Sequence, residues 1–516
     1  MASLSACKSL PQIQGLKGDS TLAIAPTGEL PPPERNSWPA LQDDVLNQRA
    51  QGYGLASMPE LQKYLNDLLI RIKAKASVAD WPGEVHILAT TALEAYSTDA
   101  GNIYVSPSWV SGAQSEDELV ALLGHEFGHI YLHYHRLGET IQGSDQVATL
   151  AAFGVALAKH TAQNTGWTPV DTLMASYLMT RELSAAAWSR GQESDADAFG
   201  LNISLKLGYS YEYGMKVFLE RLASWEEQNA DRQTTLRQKM LEAVKEEARK
   251  AARASQQQTG NGNQATFTIP TEDLNAGIAG LFHELQQSTG DLWNNVTSRH
   301  PDILKRLDTV AQAADALPPN IASRTPTEKP LQQVLRNKRT AALIKNYGYA
   351  AEALLDVSAP NALVLAQKAT NGITGRHALP IVALNNALEA RGKAREAAAA
   401  LSANLSSPND AAWFVYVKRS DQLLQSGNVV GANTVFQQGF AQYQNASAVW
   451  PQSIKLTGRI QGWEQAKKLA DICAKRFTSV AAQCRDAAAS PAEIAQRERL
   501  NKERSEAIVK KWFKQS

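Results

Sequence analysis

The spacing of apolar and polar positions predicts a mainly helical chain with a small sheet in its N-terminal part. Between residues 57 and 75, apolar side chains recur every three or four positions, which is the pattern of one buried helix face. Residues 85–89 and 102–105 are short apolar runs near turn residues, which is typical of strands. The segment 94–97 and a turn at 99–101 connect these two runs.

A later helix has a well-defined predicted start. Ser115, followed three residues on by Glu118, forms a capping box, in which the two side chains satisfy backbone N–H groups of the first turn. An apolar face follows, and the helix continues through residues 125–129. Further helices are predicted at about 145–160, 171–190, 193–206 and 214–255, with a polar loop at 256–265 and helical patterning from Glu272 past Ala311.

The C-terminal part contains a periodic glycine. Gly392, Gly427 and Gly462 are 35 residues apart, and each lies between two helical segments. Small residues follow the first two glycines at the same offset, whereas Lys467 breaks the pattern after the third. The period is similar to that of tetratricopeptide repeats, which is about 34 residues. The alternative is an irregular helical domain in which the glycine spacing arises by chance.

The composition excludes several classes of protein. Lys and Arg total 52 against 51 for Asp and Glu, so the net charge of +1 does not indicate a nucleic-acid partner. No apolar run approaches the roughly 18 residues that a membrane-spanning helix needs. The chain has three cysteines, which is too few for a disulfide scaffold. Cys473 and Cys484 could be bridged between two packed helices, or could be two separate small buried residues.

The strongest chemical signal is His125-Glu126-Phe127-Gly128-His129. On a helix, His125 and His129 lie one turn apart on one face and can bind two adjacent corners of one zinc tetrahedron. Glu126 lies beside them, where a carboxylate can act as the general base toward a water molecule. Buried His and Glu are costly unless they are paired, which favours a site over a chance match.

Two residues compete for the third ligand position. His135 has the spacing of the metzincin pattern, but that pattern requires a glycine at position 132, which is Leu in this chain. Glu193 lies 64 residues after His129, and Asp197 shares its helix face one turn later. Glu193 could therefore bind the metal while Asp197 accepts the spare ring N–H of a histidine ligand. We favour Glu193, and we leave His133 unassigned.

These motifs resemble those of the HtpX-like and Ste-type gluzincin metallopeptidases. The resemblance covers residues 45–315, from the segment 101–105 through 125–129 and Glu193-x-x-Ala196-Asp197 to His300-Pro301 with Arg306. It is closest to the soluble, periplasmic BepA-like branch. It implies one zinc ion per chain, bound by His125, His129 and Glu193, with Glu126 as the catalytic base.

The resemblance also implies roles for residues that spacing alone does not assign. Residues 94–97 would pair with extended substrate, with Glu94, Ala95 and Tyr96 in place of the Asn-Ala-Phe usual in the family. His300 would lie near the metal, either as a catalytic hydrogen-bond donor or as an inhibitory fourth ligand. Cys7 follows Leu4-Ser5-Ala6, which resembles a lipobox, and is a candidate lipidation site although no apolar signal segment precedes it.

The combined interpretation is an α+β zincin-type metallopeptidase domain followed by an all-α helical-repeat domain. The predicted segments are an extended lead-in at 1–45, the peptidase domain at 46–318 with an insertion at about 225–295, the repeats at 331–490 and a charged tail at 491–516. The family branch implies an endopeptidase acting on misfolded or misassembled proteins in the bacterial periplasm or at the outer-membrane periphery. It also implies contact with the envelope assembly machinery through the repeats, and a membrane tether by lipid alone. The alternative is an adaptor or chaperone with a latent, gated peptidase site.

Overall fold

The computed structural model describes residues 24–33, 35, 37–90, 92–132, 190–225, 227–228, 303–407, 410–494 and 496. Cys7, His133, His135 and His300 lie outside these residues, as do most of the predicted insertion and most of the charged tail. Within the described part of the chain, no helix is long and apolar enough to cross a membrane.

In its described residues, the N-terminal half combines helices with one small sheet. Its elements are α1 (Leu41–Arg49), α2 (Pro59–Lys75), β1 (Val85–Ile87), β2 (Ala95–Ser97), β3 (Ile103–Val105), α3 (Pro107–Gly112), α4 (Glu116–Tyr131), α5 (Arg190–Lys206), α6 (215–225) and α7 (Ile303–Asp315). The strand order is β1-β3-β2, with β1 parallel and β2 antiparallel to β3. The fold class is therefore mostly helical with a three-stranded sheet, as expected for a zincin-like domain.

The helix predicted at 57–75 is present as α2, and its apolar stripe is its buried face. Pro59 begins the helix because proline at the first position lacks only an N–H that would be unpaired anyway. The sheet differs from the prediction in one respect. The connecting segment 94–97 contributes a third strand, β2, which lies at one edge of the sheet.

The predicted capping box begins α4. Ser115 accepts a hydrogen bond from the Glu118 N–H at 3.4 Å and donates one to the Tyr213 carbonyl at 3.0 Å. Glu118 reaches back one residue further than the motif requires, to the Gln114 N–H at 3.1 Å. The start of α4 is therefore connected to the loop before α6 as well as to its own first turn.

The lead-in predicted at 1–45 is not a separate segment where the structure describes it. Helix α1 runs across the predicted boundary at residue 45. Before it, Tyr131 of α4 donates a hydrogen bond to the Pro31 carbonyl at 2.7 Å, and Asn202 of α5 donates to the carbonyls of Ala25 and Gly28. The described part of this segment is therefore packed across the helices α4 and α5.

The C-terminal half is entirely helical in its described residues. After α8 (Pro319–Ala322) and α9 (Lys329–Arg336) come α10 (Lys338–Leu355), α11 (Ala362–Ala369), α12 (Ala378–Glu389), α13 (Ala394–Leu405), α14 (Trp413–Gln425), α15 (Val429–Tyr443), α16 (Trp450–Gln461), α17 (Trp463–Arg476) and α18 (Ala481–Ala487). Short 3-10 helices occur at Gly372–Thr374, Ser447–Val449 and Thr478–Val480. The pairs α10/α11, α12/α13, α14/α15 and α16/α17 pack as helical hairpins.

The three periodic glycines lie in the turns of the last three hairpins. Gly392, Gly427 and Gly462 have φ values of 69°, 79° and 97°, a left-handed conformation that glycine adopts without a steric penalty. Helix α17 begins immediately after its glycine, whereas α13 and α15 begin two residues after theirs. The buried small residue is consequently Ala466 and not Lys467, which explains the irregularity in the sequence pattern.

Residues on both sides of the predicted boundary at 318–330 share one hydrophobic core. Leu343 and Tyr347 of α10 belong to the same buried cluster as the residues of α2 and α4. Thr327 accepts a hydrogen bond from the Glu116 N–H at 2.8 Å, and its own N–H donates to Asp117 at 2.7 Å. The start of α4 is therefore bonded directly to the connection into the C-terminal helices.

One disulfide occurs among the described residues, and it joins the last hairpin to helix α18. Cys473 of α17 is bonded to Cys484 of α18, and both residues are fully buried. The sequence leaves open whether these cysteines are bonded or are two separate buried residues, and in the structure they are bonded.

Candidate active site

Helices α4 and α5 cross at very short distance because both carry glycines at the contact. A Cβ atom on Gly124 would lie 3.1 Å from the Cα of Gly200, and one on Gly128 would lie 3.2 Å from the Cα of Ala196. A Cβ on Gly200 would approach the backbone nitrogen of His125 to 2.9 Å. The close crossing brings the first turns of α5 against the histidine face of α4.

His125, His129 and Glu193 meet at this crossing. Their ligand atoms all lie within 4.8 Å of one another, and the three residues are buried. The two Nε2 atoms are 3.2 Å apart, and the Glu193 carboxylate oxygens lie 3.7 Å from that of His125 and 3.5 Å from that of His129. Residues 64 positions apart in the chain therefore form one compact donor set.

This donor set fits a tetrahedral zinc ion. Zinc binds His nitrogen and carboxylate oxygen at about 2.0–2.2 Å, so neighbouring donor atoms of a tetrahedron are separated by roughly 3.4 Å. The 3.2 Å between the two histidine nitrogens is close to that value, and each nitrogen has a Glu193 oxygen at a similar distance, Oε1 at 3.5 Å from His129 and Oε2 at 3.7 Å from His125. Two imidazoles and one carboxylate also match the ligand set of catalytic zinc sites that keep a fourth position open.

Asp197 and Arg306 surround the donor set with a buried ionic network. The Asp197 carboxylate is 2.9 Å from His125 Nδ1, the ring atom opposite to the donor nitrogen. Arg306 donates two hydrogen bonds of 2.7 Å to Asp197, and its third nitrogen is 2.9 Å from Glu193. Arg306 thus fixes the carboxylate that orients His125 and the carboxylate that belongs to the donor set.

The protonation of these groups follows from burial and from their neighbours. Burial lowers the pKa of His129 to about 3, so the ring is neutral near pH 7 and can offer a lone pair. For His125, burial lowers the pKa, but Asp197 and Glu193 outweigh it and raise the pKa overall. For Asp197, burial raises the pKa, but Arg306 and His125 outweigh it and lower the pKa overall, which keeps the carboxylate charged.

Glu126 lies beside the donor set and is buried. Burial raises the pKa of its carboxyl group to about 7, with Glu193 adding to the rise while His125 and a hydrogen bond from Ser97 oppose it. A carboxyl group with a pKa near the working pH can both accept and return a proton, which a general acid–base catalyst requires.

The predicted substrate segment is the edge strand beside this site. Ala95 and Tyr96 belong to β2, and Glu94 immediately precedes it. The side chain of Tyr96 stacks on Tyr104 and donates a hydrogen bond to Gln48 at 2.7 Å, so it serves the packing of the sheet. The backbone of β2 is therefore the part of this segment best placed to meet a substrate.

The sequence profile of peptidase family M48 matches residues 57–314, which is half of the 516-residue chain. The chain belongs to peptidase family M48. The donor set and Glu126 lie within the matched region, and M48 peptidases are metallopeptidases.

Similarity to individual relatives is weaker. Beta-barrel assembly-enhancing proteases of Yersinia pestis and Escherichia coli K12 are each 23% identical to the chain, over 185 and 181 residues. A Vibrio cholerae serotype O1 protein provisionally given the same name is 25% identical over 190 residues. The matches cover 35–37% of this chain and 35–37% of each relative, so the chain spans about a third of the length of these proteins.

The sequence predicts that the histidines, Glu126, Glu193 and Asp197 share one site, and the structure brings them together. His300 and the rival ligand His135 lie outside the described residues. The sequence does not predict the contacts of two further residues, Arg306 and Ser97, which it marks only as part of a motif and as the end of the substrate segment. The signal for Arg306 is an arginine within an apolar helix face.

Proposed function

We propose that this M48 peptidase is a zinc-dependent endopeptidase of the gluzincin type. His125, His129 and Glu193 would hold one zinc ion, and Asp197 would orient His125 through its second ring nitrogen. The observation that supports this most directly is the donor set itself, whose separations suit a tetrahedral ion.

The residues around the donor set suggest how hydrolysis would proceed. A bound zinc ion supplies Lewis-acid activation of water and of the scissile carbonyl. Glu126 would take a proton from the attacking water and then give it to the leaving amine, which its pKa of about 7 permits. The edge strand β2 would hold the substrate in extended form, as sheet edges do when they pair with peptides.

The decisive experiment is the Glu126→Gln variant of the full chain. Cleavage of an unfolded casein substrate should fall by about 10²- to 10⁴-fold, because the general base is lost while the ligands remain. Zinc content should remain at one ion per chain. Glu464→Gln, whose side chain is 83% exposed, is the matched control and should keep full activity.

The same variant separates the peptidase from the adaptor or chaperone alternative. An adaptor with a latent site would keep all of its activities in Glu126→Gln, and that result would reject the proposed hydrolysis. Loss of cleavage together with retained zinc would reject the adaptor as the sole function.

The relatives suggest a biological setting, which we include in the proposal. Their names describe enhancement of beta-barrel assembly, so we infer that this chain degrades misfolded or misassembled proteins of the bacterial envelope. The tetratricopeptide-like hairpins from α12 to α17 would bind substrate or assembly partners, since stacked hairpins offer extended binding surfaces. A periplasmic or outer-membrane location, with Cys7 as a lipid attachment site, remains part of this proposal, and so does the regulatory or catalytic role of His300.

A further inference from the structure

Ser97 connects the edge strand to the catalytic base. It is the last residue of β2, it is buried, and its hydroxyl group donates a hydrogen bond to the Glu126 carboxylate. Strand β2 also packs against α4, the helix that carries Glu126. The Ser97 side chain therefore connects strand β2 to helix α4.

The backbone N–H and C=O groups of Ser97 point away from the partner strand β3. Tyr96 lies opposite Tyr104 in the antiparallel pair, and the flanking Glu94 and Thr98 bond with Ser106 and Asn102 at 2.8 and 3.0 Å. Backbone groups alternate along such a pair, so those of Ala95 and Ser97 point away from β3. Among the described residues, no strand pairs with that side of β2.

The neighbours of Ser97 are anchored to helix α1. Gln48 accepts a hydrogen bond from Tyr96 at 2.7 Å, and Asp44 accepts one from Thr98 at 2.8 Å. Helix α1 in turn contacts the C-terminal helices, where Ser447 donates to Asn47 at 3.3 Å. Both chain neighbours of Ser97 are therefore held in place by α1.

We propose that Ser97 is a positioning residue for Glu126. Its hydroxyl group holds the carboxylate in one orientation, while its main chain lies where an extended substrate would pair with β2. Pairing of a substrate with β2 would then restrict the motion of Ser97, the residue that orients Glu126. This inference rests on the proposed peptidase function and adds to it the residue that aligns its base.

A positioning role has a distinct kinetic signature. Removing the hydroxyl leaves the metal ligands and the main chain of β2 intact, so substrate binding should change little. The base would sample more orientations, and small misplacements of a catalytic group have large effects on rate. We therefore expect a fall in kcat of about ten-fold with KM within about two-fold of the wild type.

The test compares Ser97→Ala, Ser97→Thr and Ser97→Cys in the zinc-loaded full chain, with a fluorogenic peptide as substrate. Ser97→Ala should lose kcat as stated, and Ser97→Thr should recover most of it because it keeps the hydroxyl group. Ser97→Cys, a weak donor of similar shape, should lie between them. Ser111→Ala, at an exposed serine of α3, is the control. Zinc content and melting temperature are measured for every variant.

Several outcomes would overturn the inference. A wild-type kcat in Ser97→Ala would remove the positioning role, and so would equal losses in the Ala and Thr variants. A change confined to KM would make Ser97 a binding residue only. If Glu126→Gln itself keeps full activity, the proposed function fails; if Glu126→Gln is inactive but Ser97→Ala is normal, only the inference about Ser97 fails.

Discussion

At the scale of single residues, the site is an arrangement of buried charges that are stable only together. Glu193, Asp197 and Arg306 are all buried, and each would be costly to bury alone. Arg306 contacts both carboxylates, and Asp197, held by Arg306, contacts His125 in turn. The histidine is thereby held in the orientation in which its Nε2 atom faces the other donors.

Replacing Asp197 tests this arrangement. Asp197→Asn keeps the size of the side chain but removes the charge that holds His125 and pairs with Arg306. Zinc affinity should fall by about 10- to 100-fold, the usual effect of losing a partner of a histidine ligand. Competition with a chelator measures the affinity, and Asp308→Asn, at an exposed site on α7, is the control. An unchanged zinc affinity would contradict the assigned role.

At the scale of secondary-structure elements, the site depends on how closely α4 and α5 approach. Glycines on both helices remove the side chains that would separate them. Since His125 and His129 come from one helix and Glu193 from the other, the helix separation sets the width of the donor set.

Gly200→Ala should widen that separation. Its Cβ atom would lie 2.9 Å from the backbone nitrogen of His125, closer than real contacts allow, so the helices must shift. We expect a loss of about 1–3 kcal/mol in stability, as in other overpacked cores, with a weaker zinc affinity. Gly348→Ala in α10, where the added atom meets open space, should leave zinc affinity unchanged. Equal zinc affinities in both variants would show that the crossing distance does not matter.

The glycines of the hairpin turns offer a second test at this scale. Gly427 has a φ of 79°, so Gly427→Ala should destabilise the protein by about 1–2 kcal/mol. Gly348 lies inside the helix α10, where Gly348→Ala should stabilise it by about 0.5–1 kcal/mol. Neither added atom meets a neighbour within 4 Å, so backbone conformation alone separates the two. Urea denaturation should give opposite signs, and shifts of one sign would contradict the turn assignment.

At the scale of the whole molecule, the peptidase region and the first C-terminal helices share one core. Helix α1 adds contacts in both directions, since Asp44 bonds to the sheet and Asn47 to Ser447. The predicted boundary at 318–330 therefore marks a change in the sequence pattern, but the helices on its two sides belong to one hydrophobic core. We therefore expect the stability of the donor set to depend on helices that contribute none of its residues.

Leu343→Ala tests this dependence. Leu343 lies in α10, far from the donor set in sequence, but is only 2% exposed within the shared core. Its truncation should cost about 2–5 kcal/mol, and zinc should be released at a lower urea concentration. Val430→Ala, at a residue 81% exposed on α15, should change stability by no more than about 0.5 kcal/mol. Zinc release at the wild-type urea concentration would show that the two parts unfold independently.

The sequence alone determined the features that depend on local spacing. The apolar period identified α2, the capping box located the start of α4, and two histidines one turn apart defined a metal-binding face. The 35-residue glycine period located the turns of three hairpins. Each of these follows from helix geometry, which relates residues only a few positions apart. Such features can therefore be predicted from the sequence alone.

Only the tertiary structure decided what depends on elements distant in the chain. Glu193 reaches the histidines because glycines let two helices approach, and Arg306 holds the carboxylates from a third helix. The connecting segment 94–97 contributes an edge strand because its residues 95–97 pair with β3. Such contacts depend on which surfaces pack together in space. The sequence could propose Glu193 and Asp197 as partners of the histidines, but the contacts that Arg306 and Ser97 make with the carboxylates follow only from the packing.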